Sequence, residues 1–424
     1  MNLRNLALST VGTAILVAAC TGGGATTTSA PTTAPSVGAS TQPSTAPSTA
    51  ASMSPEAMAP TTKSPSADLR YTLASGLGQH ALLASLTTHR GLEGGKDFEA
   101  AAEALELNTV ALGEAIGSVY GDDAEATFLE LWRAHIGFFV GYTVGTATKD
   151  DAKKTKAGED LAGYSRDFAA FLAGATDLPA DVLEDELNNH VTHLAGSVDA
   201  YAAADYAKAY ELTDMAYQHM VATGGTLADA IAAKFPDKFA AMDEATKSAV
   251  DLRVALDSAL GEHAFLASNA THRGLEGSKA FDAAAGQLET NTVALGDAIG
   301  SVFGDEAEAT FLELWRAHIG FFVDYTVGTA TEDDAKKTKA GEDLAGYSRD
   351  FGAFLAGATD LPADVLSAEL DSHVKHLAGS IDAYAAGDYA EAYELMGMGY
   401  THMWATGDVL SEAIVTKMPE SFGQ

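Results

Sequence analysis

From about residue 67 onward the chain is written twice. The stretch DLRYTLASGLGQHALLASLTTHRGLEG returns as DLRVALDSALGEHAFLASNATHRGLEG at an offset of 183 residues. The same offset carries Trp132 to Trp315, His190 to His373 and His219 to His402, so no insertion separates the copies over that span. A unit of about 180 residues is far longer than the units of a stacked solenoid. Two tandem domains of the same fold are the expected outcome, repeat 1 over 67–245 and repeat 2 over 246–424.

Each unit reads as helix throughout. Apolar residues recur at three- and four-residue spacing, alanine is plentiful, and no alternating strand pattern stands out. In the first copy the spacing predicts helices near 67–90, 96–118, 123–147, 150–175, 180–202 and 204–222, with a short one near 227–235. Gly91 reads as a helix-ending glycine, Asp177-Leu178-Pro179 as the opening of the fifth helix, and Gly224-Gly225 as an interruption of the last. Helices joined by short loops pack as antiparallel neighbours, so the expected fold is all-α: two tandem, duplicated antiparallel helical bundles.

What precedes the repeats has a different character. MNLRNLALSTVGTAILVAAC carries one early positive charge at Arg4, a short apolar run and then small residues before Cys20. It resembles a bacterial lipoprotein signal, with residues 1–19 removed on export and the Cys20 thiol carrying lipid. Cys20 is the only cysteine, so no intramolecular disulfide and no thiolate metal site can form. Residues 20–66 are rich in Thr, Ser, Pro and Ala, a composition that buries too little apolar surface to order itself and reads as a tether. The expected location is the outer face of the bacterial cell envelope, with membrane contact only through the lipid anchor. A net charge of −34 argues against nucleic acid as a partner, because nearly every approach to a phosphate backbone would be repulsive.

All twelve histidines fall into matched pairs: His80/His263, His89/His272, His135/His318, His190/His373, His193/His376 and His219/His402. Direction separates them. At 100° per residue His80 lies mid-stripe among Leu69, Leu73, Leu77, Ala84 and Thr87, His135 among Phe128, Leu131, Trp132, Phe139 and Tyr142, and His190 among Leu183, Leu187, Leu194 and Tyr201. His219 flanks a face defined by Tyr206, Tyr210, Tyr217 and Met220. Each of the first three sits near the middle of its helix, so each lies near the bundle midplane whichever way the helix runs. Three inward imidazoles at one level can share an ion.

The candidate metal ligands are therefore His80, His135, His190, His219 and Met220, with His263, His318, His373, His402 and Met403 in the second copy. Imidazole with thioether suits copper best and zinc next, with Met215 and Met220, and Met398 and Met403 in the second copy, as the soft ligands. Two other readings stay open. Buried imidazoles serve a core equally well as hydrogen-bonded polar groups in a structural or adhesive envelope protein, and His/Met or bis-His ligation of a non-covalent haem fits a bundle lined by Trp132, Phe138, Phe139 and Phe168. His89 and His272, in THRGLEG, read as helix-end residues complementing the negative pole beside Arg90 and Arg273. His193 and His376 read as exposed, with ligands of a second site as the alternative. No nucleophile elbow, phosphate loop or His-Glu-x-x-His occurs, so nothing points to an enzyme.

LWRAHIGFFVDYT, THRGLEG and the late His-Met together resemble a helical domain of secreted bacterial proteins, some of them labelled with copper amine oxidase terms. The resemblance spans both repeats and implies copper by association. Copper amine oxidases build their quinone from a Tyr in an Asn-Tyr-Asp/Glu context. That tripeptide is absent here, and the amine oxidase activity is not implied.

Overall fold

A computed structural model describes residues 60–422. Residues 1–59, which include the expected signal peptide, Cys20 and most of the expected tether, lie outside the described residues. Within them the chain is all-α, with no strand. In repeat 1 the helices are α1 (Pro65–Glu93), α2 (Phe98–Tyr120), α3 (Asp122–Thr148), α4 (Asp151–Thr176), α5 (Ala180–Ala202) and α6 (Tyr206–Lys234). Repeat 2 follows with α7 (Glu244–Glu276), α8 (Phe281–Phe303), α9 (Asp305–Ala330), α10 (Asp334–Thr359), α11 (Ala363–Ala386) and α12 (Tyr389–Lys417). No described helix is long and apolar enough to cross a membrane.

The helix ends follow from local chemistry. Ser64 caps α1 by accepting a hydrogen bond from the Ala67 backbone N–H, and Pro65 occupies the first turn, where its missing N–H costs nothing. Asp150, Asp205 and Asp243 cap α4, α6 and α7 in the same manner. The sequence placed the end of α1 at Gly91, but the helix continues to Glu93 and Gly94 closes it with φ +64°. The break expected at Gly224-Gly225 is also absent, and α6 runs unbroken. A Cβ on Gly224 would stand 2.6 Å from the Ala74 backbone, so the glycine serves close approach of α6 to α1 rather than chain reversal.

Within a repeat the six helices close into a ring, each antiparallel to its sequence neighbour, with α6 returning to pack along α1. The odd-numbered helices α1, α3 and α5 run the same way and also touch one another across the centre. Each lends the core one histidine from near its midpoint: His80 from α1, His135 from α3 and His190 from α5. Residues 60–64, tether-like in composition, are already anchored. Thr62 is buried, and its backbone N–H donates to a Glu412 carboxylate oxygen at 2.8 Å.

The two repeats pack against each other as one compact unit, through α1 on α7, α6 on α8 and α12 on α2. Here the THRGLEG segment, expected to be a helix-end cap, has another role. Arg90 and Arg273 are almost wholly buried and pair across the junction: Arg90 with Glu276 at 2.6 Å, Arg273 with Glu93 at 2.6 Å. The exchange is reciprocal, as at a two-fold interface. His89 and His272 are buried as well. Each ring stacks on a tyrosine (Tyr201 or Tyr384) and pairs through Nε2 with a serine hydroxyl (Ser197 or Ser380) at 2.9 and 3.0 Å. They are satisfied core histidines, because the helix extends beyond them and the second repeat covers its end.

The symmetry is broken at a few positions. Gln79 of repeat 1 accepts a hydrogen bond from Asn108, and its counterpart Glu262 accepts from Asn291 and Gln218. Burial pushes the Glu262 carboxyl well above the ordinary carboxylate range, and nearby Asp214 adds to this. A group whose folded pKa is raised keeps its proton where the unfolded chain has lost it, so its contribution to stability falls as pH rises above the unfolded value. Glu262→Gln, the residue of the first copy, is expected to stabilise the protein by about 1–3 kcal/mol at pH 8. Urea denaturation should show the gain shrinking toward acid pH; a loss of stability at pH 8 would contradict the reading.

Candidate metal centre

His80, His135 and His190 meet in the core of repeat 1, and His263, His318 and His373 meet in the core of repeat 2. In each group one ring nitrogen per residue lies within 4.8 Å of the other two. Nε2 of His80 and Nε2 of His135 are 3.3 Å apart, and Nε2 of His263 and His318 are 3.4 Å apart. Three nitrogens at 2.0–2.1 Å around a tetrahedral ion stand about 3.3 Å from one another, so two members of each triad already have ligand spacing. The third, His190 or His373, has its ring centre 5.8 or 5.9 Å from that of its α1 or α7 partner.

Aromatic neighbours hold the imidazoles in place. Trp132 packs on His80 with ring centres 4.6 Å apart, and Tyr164 stacks on His135 at 4.7 Å. Trp315 and Tyr347 do the same for His263 and His318. All six histidines are shut off from water. Burial pushes every one below the usual imidazole range, and neighbouring imidazoles add to the shift; His135 and His373 fall to about 3. The rings are therefore neutral at physiological pH and present lone pairs, the form that binds metal.

Hydrogen bonding accounts for only two of the six ring nitrogens in each triad, the facing Nε2 atoms of His80 and His135 and of His263 and His318. Nδ1 of His80 and of His135 and both nitrogens of His190 are buried without a partner, and the same four positions are unpartnered in repeat 2. Each such group costs about 1–3 kcal/mol when left unmade. His89 shows what a satisfied core histidine in this bundle looks like, with its serine partner at 2.9 Å. The triads differ from it in kind, and they do so twice.

His219 and His402 lie outside the triads. His219 donates from Nε2 to the backbone oxygen of Glu186 at 2.9 Å, and His402 does the same to Glu369 at 3.0 Å, so neither joins its triad. One residue further along, Met220 and Met403 are buried in the hydrophobic cores. Sequence position on the flank of α6 was the signal that His219 points elsewhere. His193 and His376, expected to be exposed, are half-buried, each beside its His219 or His402 partner. Glu130 is exposed, as its outward position on α3 requires, and no carboxylate joins either triad.

None of the protein-family models, curated proteins or solved structures compared with this chain matches it.

Proposed function

We propose that the chain is a surface-anchored bacterial lipoprotein that binds a transition-metal ion in the core of each bundle, copper before zinc. The observation that carries the reading is the pairing of geometry with need. Three neutral imidazoles converge in each repeat, and four of their six ring nitrogens are buried without hydrogen bonds. An ion shared by three rings would take Nε2 of His80 and of His135 and one of the unpartnered nitrogens of His190, and the matching atoms in repeat 2. Imidazole donors suit both metals, and for a given nitrogen site divalent copper binds more tightly than zinc. Convergence on one point favours a single ion over haem, whose axial imidazoles approach a flat ring rather than each other.

Binding, storage or delivery is the activity in this reading, and catalysis has no part in it. The lipidated Cys20 and the tether would hold the bundles outside the cytoplasmic membrane, where metal is met in transit. Mature protein loaded with Cu(II) or Zn(II) and desalted should retain about two ions per chain by elemental analysis, one per triad. His135→Ala/His318→Ala should retain none in the cores. A number of retained ions unchanged from wild type in the double variant would remove the triads as the site.

A further inference from the structure

Outside the triads each repeat keeps a second pair of imidazoles nearer to solvent. His193 on α5 and His219 on α6 lie edge to face with ring centres 5.9 Å apart, and His376 and His402 repeat the pair at 5.4 Å. Two imidazoles bound through one nitrogen each to a tetrahedral ion have ring centres about 5.2 Å apart. The backbone oxygens of Glu186 and Glu369 only accept, so His219 and His402 carry their protons on Nε2 and leave the Nδ1 lone pairs free. The Glu186 and Glu369 carboxylates stand 3.5 and 3.8 Å from the same nitrogens. Backbone and carboxylate acceptors fix the tautomer of metal-binding histidines in this way. Nδ1 of His193 and of His376 is buried without a partner.

A thioether stands one turn before each α6 or α12 histidine. Met215 and Met398 are 41% and 47% exposed, unusually open for methionine in a packed helix. Residues four apart share a helix face, so Met215 aligns with His219 and Met398 with His402. Met398, His376 and His402 line one cleft of about 820 Å³, which Glu103 and Glu394 also border. The surrounding positions have diverged between the copies: Thr192 becomes Lys375, Asp214 becomes Gly397 and Gln218 becomes Thr401. The two histidines and the methionine are kept.

We infer that His193, His219 and Met215, and in repeat 2 His376, His402 and Met398, form an outer site for a soft cation of the Cu(I) type that passes the ion to the core triad. The inference rests on the metal-binding reading of the triads. His190 supplies the link. It sits three residues before His193 on α5, about 4.5 Å along the axis, and its ring neighbours that of His80. Its unpartnered nitrogens are free to take the ion. The transfer is ligand exchange at constant oxidation state: bonds from the ion to the outer imidazoles and thioether break as bonds to the triad form.

Full-length mature protein titrated anaerobically with Cu(I) from a chromogenic chelator complex tests this. Wild type should take up about four ions per chain, two outer and two core. His193→Gln/Met215→Leu/His376→Gln/Met398→Leu should take up about two and fill them at least about tenfold more slowly. His135→Ala/His318→Ala should keep the outer two. Far-UV circular dichroism reports whether each variant is folded. Met215→Leu/Met398→Leu alone, at exposed positions, should weaken outer Cu(I) binding by about tenfold and leave Zn(II) binding unchanged, because thioether selects the softer ion. Unchanged stoichiometry and loading rate in the quadruple variant would overturn the outer site and leave the triads standing. Uptake lost from the quadruple variant but intact in His135→Ala/His318→Ala would keep the outer site and overturn the core reading.

Discussion

Metal-free protein taken from pH 8 toward pH 4 is expected to unfold cooperatively, with a midpoint between about pH 5 and 6. Eight histidines are fully buried: the six of the triads, His89 and His272. Burial pushes all eight below the ordinary imidazole value of 6.5, and His89, His135, His272 and His373 reach about 3. Their folded pKa values lie below the unfolded one. Below pH 6.5 the unfolded chain binds protons that the folded chain refuses, and stability falls until pH passes the folded values. Each group contributes about 1.4 kcal/mol per pH unit, so eight contribute about 11 kcal/mol per unit, comparable with the whole stability of a typical domain.

Two buried carboxyls oppose this slope. Burial pushes Asp257 up to about 9 and raises Glu262 as well, so both favour the folded state as pH falls toward 4. Two groups against eight offset only part of the loss. An ion held by a triad competes with protons for the same lone pairs, so copper or zinc should move the midpoint to lower pH. That shift should vanish in His135→Ala/His318→Ala. Circular dichroism during acid titration, with and without metal, measures both effects. A metal-free midpoint below about pH 4 would contradict the account.

Arg90→Met is expected to cost about 3–5 kcal/mol, the largest effect of any single substitution outside the triads. The Arg90 side chain is 2% exposed and pairs with Glu93, Asp97 and Glu276. Asp97 is fully buried, and its other carboxylate oxygen accepts from Tyr384 at 2.9 Å and Tyr393 at 2.6 Å, both residues of repeat 2. Removing the guanidinium leaves that carboxylate without its counter-charge. Repeat 2 carries Ala280 where repeat 1 carries Asp97. Arg90→Met/Asp97→Ala should therefore recover a large part of the loss, since no unpaired charge remains. Chemical denaturation of the two single variants and the double variant closes the cycle. Additive costs in the double variant would show that the two side chains act independently.

The helices and the triads were legible because both depend on periodicity. Inward direction and mid-helix height place His80, His135 and His190 together without knowledge of loop geometry, since alternate helices in such a bundle run the same way. His219 marks the limit of that logic. It neighbours Met220 on α6, and one residue is 100° of rotation, enough to turn a flanking ring from the core to the Glu186 carbonyl. Gly224-Gly225 misled for a related reason. Glycine is common both where a helix stops and where another backbone comes close, and the approach of Ala74 is invisible in one dimension. The role of Arg90 and Arg273 was hidden more deeply. THRGLEG reads as a helix end because its partner is the other copy of itself, and a sequence does not announce which of its surfaces will meet.

The reciprocal arginine–glutamate exchange between the repeats has the form of a homodimer contact fused into one polypeptide. In a true homodimer every residue is used twice, and a substitution good on one side must be tolerable on the other. Covalent linkage lifts that constraint: Asp97 opposes two tyrosines on one side of the axis while Asn269 bonds Tyr210 on the other. Tethering also replaces encounter between free subunits with a fixed local concentration, so the pairing survives dilution. The halves are thereby free to specialise, and two histidine triads of common origin can drift apart in their properties while remaining on one scaffold.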